Sequence, residues 1–268
     1  VAQGWSLKKL HRLIMTSAAY RQASGTSGQY SVSSVQTGKS SSSASGKKLN
    51  TDLLNTEHSR PTALDPDNRL LWRFPLRRLD AEQLRDAQLF VSGKLNPQPG
   101  GPGIKPRLRA DLLPASQRNK WPAVTTEGPA QWRRSVYIYV KRQLLMPMLE
   151  LFDAPTTTDS CAERTRSVVP TQALVLMNDE FVEDQAGFLA QRVATEAGGD
   201  LTKAIERMQL LALARGPSAE RLKQVTAFVA TREAAYASEA NGKSSPRQRA
   251  LADLAHVLFN SSEFITIE

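Results

Sequence analysis

The sequence predicts a mainly α-helical domain with a small β element and one long, disordered Ser/Gly-rich loop. Three observations carry that reading. From about residue 147 to 260, apolar residues recur at helical spacing, and the runs are bounded by capping residues, prolines and glycines. Only Ser135–Val140 alternates in the manner of a strand. Residues 24–50 hold almost no apolar side chain, so burial there cannot offset the entropy of ordering the chain. The 268 residues read as one domain, 1–268, long enough to bury a sizeable core. No apolar run approaches the length of about eighteen residues that a membrane helix requires.

Ser6 is placed to cap a first helix, with Trp5 and Leu10 at staple spacing. Leu7, Leu10, Ile14 and Ala18 share one face, and His11 sits at its edge as a packed histidine. The flexible insert, about 24–50, follows, its lysines solvating it. Asp65–Asn68 reads as a turn feeding a short helix through Leu70, Leu71 and Trp72, which Pro75 ends. A second helix starts at Asp80, with Gln83 closing a capping box and Gly93 past its end. Leu84, Ala87 and Val91 form its buried stripe.

Residues 94–131 are rich in Pro and Gly and irregular. Gly100–Gly103 is not a phosphate loop, because no strand precedes it and no helix start follows. The strand expected at Ser135–Val140 needs a partner, for which residues 108–113 or Phe264–Ile267 are the candidates. Pro147 opens a short helix. A helical region from Pro170 to about Ala197 breaks at Asn178, expected to cap its second part. Asp200 and Ser218 cap two more helices, and a last one runs from about Arg247 to Phe259.

The net charge of +9 is uneven. Residues 69–142 carry fifteen basic and five acidic groups, whereas residues 143–268 carry twelve basic and seventeen acidic ones. Two readings compete: arginines paired internally against the acidic half, or a basic surface for phosphate, sulfate or carboxylate groups. The pairing reading is favoured, because the arginines sit beside aromatic residues on which guanidinium groups stack. Arg73, Arg77, Arg78, Arg85, Arg133, Arg134 and Arg164 are the anion-binding candidates, since a planar guanidinium grips planar anions with two donors.

Catalytic candidates are weak. Cys161 is the lone cysteine, so no internal disulfide forms, and the favoured reading is a small buried thiol. Activated instead, it would draw on Arg164, Arg166 and the helix start near Pro170. Glu150, Asp153 and Asp159 surround Phe152, and two placed carboxyls suffice for glycoside hydrolysis. His11, His58 and His256 lack metal-ligand spacing, so no metal site is expected. No nucleic-acid motif accompanies the basic charge, and nucleic acid is not the expected partner.

Five blocks together resemble a known family: GWSLKKLHRLIMTSAAYRQAS, DPDNRLLWRFPLRRLDAEQLRDA, RRSVYIYVKR, MLELFDAPTTTDSCAERTRSVVPTQALVLMNDEFV and the late LFNSSEF. They look like the planctomycete-specific domain of unknown function (PSD type). The resemblance implies the C-terminal domain of a large exported bacterial protein, preceded by a companion domain and often by a c-type cytochrome domain. It implies an extracytoplasmic setting, with the upstream domains of the same parent as partners, and no established reaction. The chain has no initiator Met or signal peptide and so reads as a fragment. It lacks C-x-x-C-H, so no cofactor is expected in it and haem would belong to an upstream domain. The expectation is a structural or ligand-binding module. The alternative is a hydrolase or other enzyme acting on an anionic polymer such as a polysaccharide.

Overall fold

The computed structural model describes residues 6–17, 20, 65, 67–71, 73–108, 121–122, 124, 126–142, 144–158, 160–239 and 244–267. The Ser24–Asn50 insert, Trp5, Ala18, His58, Trp72, Asp159 and the strand candidate 109–113 lie outside them. Two units emerge: residues 1–77 with 267–268, and residues 78–266.

In the first unit, helix α1 spans Leu7–Thr16, and the Lys9 amide donates to the Ser6 hydroxyl at 3.4 Å. No residue of α1 is buried; Leu7, Leu10, Leu13, Ile14 and Met15 are exposed. His11 is exposed too, so it is not a packed histidine. The expected helix through Leu70 and Leu71 is instead a turn. The Asp65 carboxylate accepts from the amides of Arg69 (2.8 Å) and Leu70 (2.7 Å), and the Asn68 side chain brackets the Arg73 backbone. These local bonds take donors a helix would use, and Leu71 at φ 55° interrupts the helical path.

The second unit is mainly helical. Its helices are α2 (Ala81–Val91), α3 (Pro147–Leu151), α4 (Pro170–Asn178), α5 (Glu180–Glu196), α6 (Leu201–Leu213), α7 (Ala219–Ala237), α8 (Pro246–Phe259) and α9 (Ser262–Ile265). A two-stranded antiparallel sheet joins β1 (Arg77–Arg78) to β2 (Thr266–Ile267), and next to it the Leu79 amide donates to the Ile265 carbonyl at 2.8 Å.

Helix α8 packs against α5 and α7. Leu251, Leu254 and Phe259 of α8 share a core with Leu189 and Val193 of α5 and Val229 of α7, and Phe259 meets Phe264 at 4.9 Å between ring centres. Side-chain caps start α6, α7 and α8: Asp200 accepts from Lys203 (3.1 Å), Ser218 from Arg221 (3.2 Å) and Ser245 from Gln248 (3.2 Å). Gln83 accepts from the Asp80 amide at 3.0 Å at the start of α2. Gly93, at φ 78°, ends α2 by turning the amides of Lys94 and Leu95 onto the Leu89 carbonyl. The break after α4 is capped by Asp179, which accepts from Phe181 at 2.8 Å. Asn178 does not cap it, because its amide donates back to Leu174 at 2.7 Å.

Ser135–Val140 is not a strand. Ser135–Tyr137 forms a 3-10 turn, and Ile138 makes a single parallel bridge with Ile104. Ile138 is buried while Val136 and Val140 are exposed, so the apparent alternation has no common face. The cause lies on α2: Asp86 takes the Ser135 amide at 2.6 Å, and Arg85 takes the carbonyls of Arg133 (3.1 Å) and Gln131 (2.8 Å) and the Ser135 hydroxyl (3.3 Å). The Ser135 amide is thus claimed by a side chain, and the Tyr137 carbonyl and Tyr139 amide pair with Ile104.

Arg85 is fully buried, with its guanidinium 4.9 Å from the Phe181 ring centre. Burial pulls its pKa down, and the fields of Glu127, Asp86 and Asp179 act against that pull. Arg85→Ala should lower unfolding free energy by about 3–5 kcal/mol in urea titration, through stranded acceptors and a cavity.

Candidate functional site

The residues after the irregular segment shape a polar cavity of about 860 Å³. A tight turn bridging Lys141 and Leu144 leads into α3, and Asp153, left-handed at φ 61°, swings the chain out of α3 into the loop 154–165. Asp153 holds that geometry. Its carboxylate accepts from Arg78 at 2.6 Å, from the Ser167 amide at 2.8 Å and from the Ser167 hydroxyl at 2.9 Å. Arg78 also donates to the Phe152 carbonyl at 3.3 Å and lies 5.1 Å from the Phe152 ring centre. Burial pushes the Asp153 carboxyl up, but the Ser167 and Arg78 donors outweigh it and leave the group below its ordinary pKa.

The far side of the loop is anchored by Arg164. Its two terminal nitrogens meet the two Glu82 oxygens at 2.7 and 2.9 Å. That hydrogen-bonded pair holds the Glu82 carboxyl below its usual range. Arg166 adds a contact to Asp80 at 3.6 Å.

Cys161, Glu150, Asp153 and Arg164 all line this one cavity, together with Lys141, Arg142 and the hydroxyl run Thr156–Thr158. Cys161 is exposed, with its thiol directed to the Glu163 carbonyl at 3.2 Å, so the buried-thiol reading is corrected. The loop around it has few apolar residues to cover the sulfur. Glu150 is exposed on the wall, whereas both Asp153 oxygens are engaged. No histidine lines the cavity among the described residues, so no thiol–imidazole pair stands assembled there, whereas Glu163 joins Glu150 as a second exposed carboxyl on the wall.

The other arginine candidates lie elsewhere. Arg73 belongs to the Asn68 turn, and Arg77 is exposed on β1. Arg85 is in the core, and Arg133 clamps the carbonyls of Pro102 (3.0 Å) and Gly100 over the Tyr137 ring. Arg134 reaches Asp86 at 3.4 Å. The structure brings only Arg164 of these to the cavity wall, with Arg78 behind Asp153. The residues missed by sequence reasoning are Lys141, Arg142 and the threonines; the run PTTTDS was the available signal.

A second cavity, of about 390 Å³, lies on another face of α3. Met146, Met148, Leu151, Val175 and Phe181 line it, with Arg107, Asp179 and Glu180 also in its wall. Nothing in the sequence reading pointed to it.

Fold and cavities together define a helical module with a ligand-sized polar pocket. Residues 1–229 match the family model described as PSD1, protein of unknown function (DUF1553), and the chain belongs to that planctomycete-specific family. No curated protein and no solved structure matches it.

Arg78→Ala removes a buried donor and should cost about 2–4 kcal/mol of stability in urea unfolding. Because the Asp153 pKa is depressed by folding, its contribution is present above the unfolded value of about 3.9 and lost as pH falls through the folded value. Asp153→Asn should therefore be less stable than the parent at neutral pH and lose less stability on acidification. Cys161 should be titrated stoichiometrically by a thiol reagent in the folded chain; reaction only after denaturation would contradict its exposed placement.

Proposed function

We propose that this chain is a ligand-binding module of a multidomain bacterial protein, working outside the cytoplasm, whose polar cavity takes a segment of an anionic polysaccharide. The observation that carries the reading is the make-up of the cavity at about 860 Å³: hydroxyl side chains Thr156–Thr158 and Ser160 beside Lys141 and Arg142. Hydroxyls exchange hydrogen bonds with sugar hydroxyls, and a guanidinium meets a carboxylate or sulfate in bidentate fashion. Arg142 is exposed and has no ion-pair partner among the described residues, in contrast to Arg78 and Arg164. The extracytoplasmic setting and the upstream domains as partners rest on the family resemblance.

A second reading, an enzyme acting on the same polymer, draws on Cys161 and Glu150 sharing the cavity. With Asp153 tied, Glu150 and Glu163 are the carboxyls on the wall that a two-carboxylate mechanism would use. Affinity electrophoresis and calorimetry with polygalacturonate, dextran sulfate and neutral dextran separate the readings. Binding to the two charged polymers and not to neutral dextran is expected, weakened about fivefold by Arg142→Ala, the loss of one charge-assisted contact. No binding to any of them would overturn the ligand-binding reading. Release of reducing ends that Glu150→Gln or Cys161→Ser abolishes would establish the enzyme instead.

A further inference from the structure

The second cavity is separate from the polysaccharide pocket and has a different chemistry. Its floor is apolar and rich in sulfur: Met146, Met148, Leu151, Val175 and Phe181. Methionine side chains adapt to incoming apolar groups, as on other protein-binding surfaces. The volume of about 390 Å³ accommodates one large side chain with room for its neighbours.

Apolar surface also continues outside the cavity. Leu174, at its wall, is 56% exposed, and Met177, one helical turn further along α4, is 58% exposed. Residues three apart share a helix face, so the two extend the cavity into a strip. Val168 and Val169, just before α4, are exposed as well. A small ligand filling the cavity would leave this strip in water, whereas an amphipathic helix lying along α4 would cover both.

The charge beside the cavity selects the helix. Asp179 and Glu180 line it. Arg107 reaches Glu180 at 3.2 Å and Asp184 at 2.8 Å, and its amide donates to Glu127 at 2.7 Å. The second Glu127 oxygen is buried and has no hydrogen-bond partner among the described residues. Four carboxyl groups thus gather around Arg107, with Arg85 the further cation whose field reaches Glu127 and Asp179. Among the described residues the local balance is acidic, and burial pushes the carboxyls of Asp179 and Glu127 above their ordinary values. An added cation favours the charged form of these buried carboxyls, and an added anion disfavours it.

We propose that the cavity and the exposed face of α4 form a docking groove for a basic amphipathic helix of a partner protein. A large apolar side chain of that helix enters between Met148 and Phe181. Its apolar neighbours lie on Leu174 and Met177, and its lysines or arginines face Asp179 and Glu180.

The test uses the full chain and a fluorescein-labelled amphipathic peptide of leucine and lysine, read by fluorescence anisotropy, beside a scrambled peptide of equal composition. The amphipathic peptide should bind and the scrambled one should not. Leu174→Asp and Met177→Asp, both at exposed positions, should each weaken binding about tenfold, the effect of losing an anchoring apolar contact. Glu180→Gln should weaken it several-fold and flatten its salt dependence, while Arg142→Ala should leave it unchanged. Circular dichroism melts show whether each variant is folded, and two separate apolar variants guard against the failure of one. Equal binding of the scrambled peptide, parent-like binding by both apolar variants, or no binding at about 1 mM peptide would each overturn the proposal. So would binding of a neutral apolar dye that Leu174→Asp abolishes while the peptide does not bind, which would mark a small-molecule site. Failure of polysaccharide binding leaves this groove intact, because the two sites share no lining residue.

Discussion

The fully buried guanidinium of Arg85 is the constraint on which the second unit depends. It sits on α2 and takes the carbonyls of Gln131 and Arg133, and its plane lies against Phe181 of α5. A charge in the core is costly unless its donors are met. The irregular chain meets the two terminal nitrogens by presenting carbonyls inward, while Nε is buried without a hydrogen-bond partner among the described residues. Asp86, next on α2, takes the following amide at Ser135. Adjacent side chains of one helix thus replace the pairing a second sheet would have supplied. Arg133 repeats the device one layer out, closing the Gly100 turn around its own guanidinium.

This use of arginine changes what the basic charge means. A cluster of arginines in sequence suggests an anion surface, yet Arg78, Arg85, Arg133 and Arg164 spend their donors on carbonyls and carboxylates of the same chain. Arg78 and Arg164 join residues about eighty positions apart, so they act as tertiary ties, Arg78 from β1 to the end of α3 and Arg164 from the following loop to Glu82 of α2. Their contribution is geometry: they fix Asp153 and Arg164, two residues of the polar cavity's lining. Arg142, by contrast, stands exposed at the cavity's own rim.

Local chemistry was legible in the sequence wherever a few neighbouring residues decide the structure. The caps at Asp200 and Ser218 and the glycine stop at Gly93 follow from side chains and φ preferences within one turn, and the structure has each. The misread elements are those decided from a distance. Val136, Ile138 and Val140 alternate in sequence, but the Asp86 and Arg85 side chains that claim their neighbourhood come from some fifty residues earlier. Cys161 was weighed by the average behaviour of cysteine, whereas its exposure follows from a loop that Asp153 and Arg164 hold away from the core. The polar cavity was half legible, since Cys161, Glu150, Asp153 and Arg164 were named for their chemistry. The apolar cavity was not, because Met146, Val175 and Phe181 read as ordinary core residues until their packing is seen.

Both cavities are built on α3, and that explains why so short an element is held so firmly. Five residues cannot sustain a helix by their own hydrogen bonds. Pro147 fixes its first turn, and its far end is gripped from three sides: Gln172 donates to the Leu151 carbonyl at 2.8 Å, Arg78 to the Phe152 carbonyl, and Ser167 to Asp153. Gln172 lies in the first turn of α4 and Ser167 just ahead of it, so the same bonds tie α3 to the start of α4. Met148 and Leu151 point into the apolar cavity while Glu150 and Asp153 face the polar one. A single turn of helix divides two environments of opposite character, and Arg78 with Asp153 is the tie that keeps it from rotating between them.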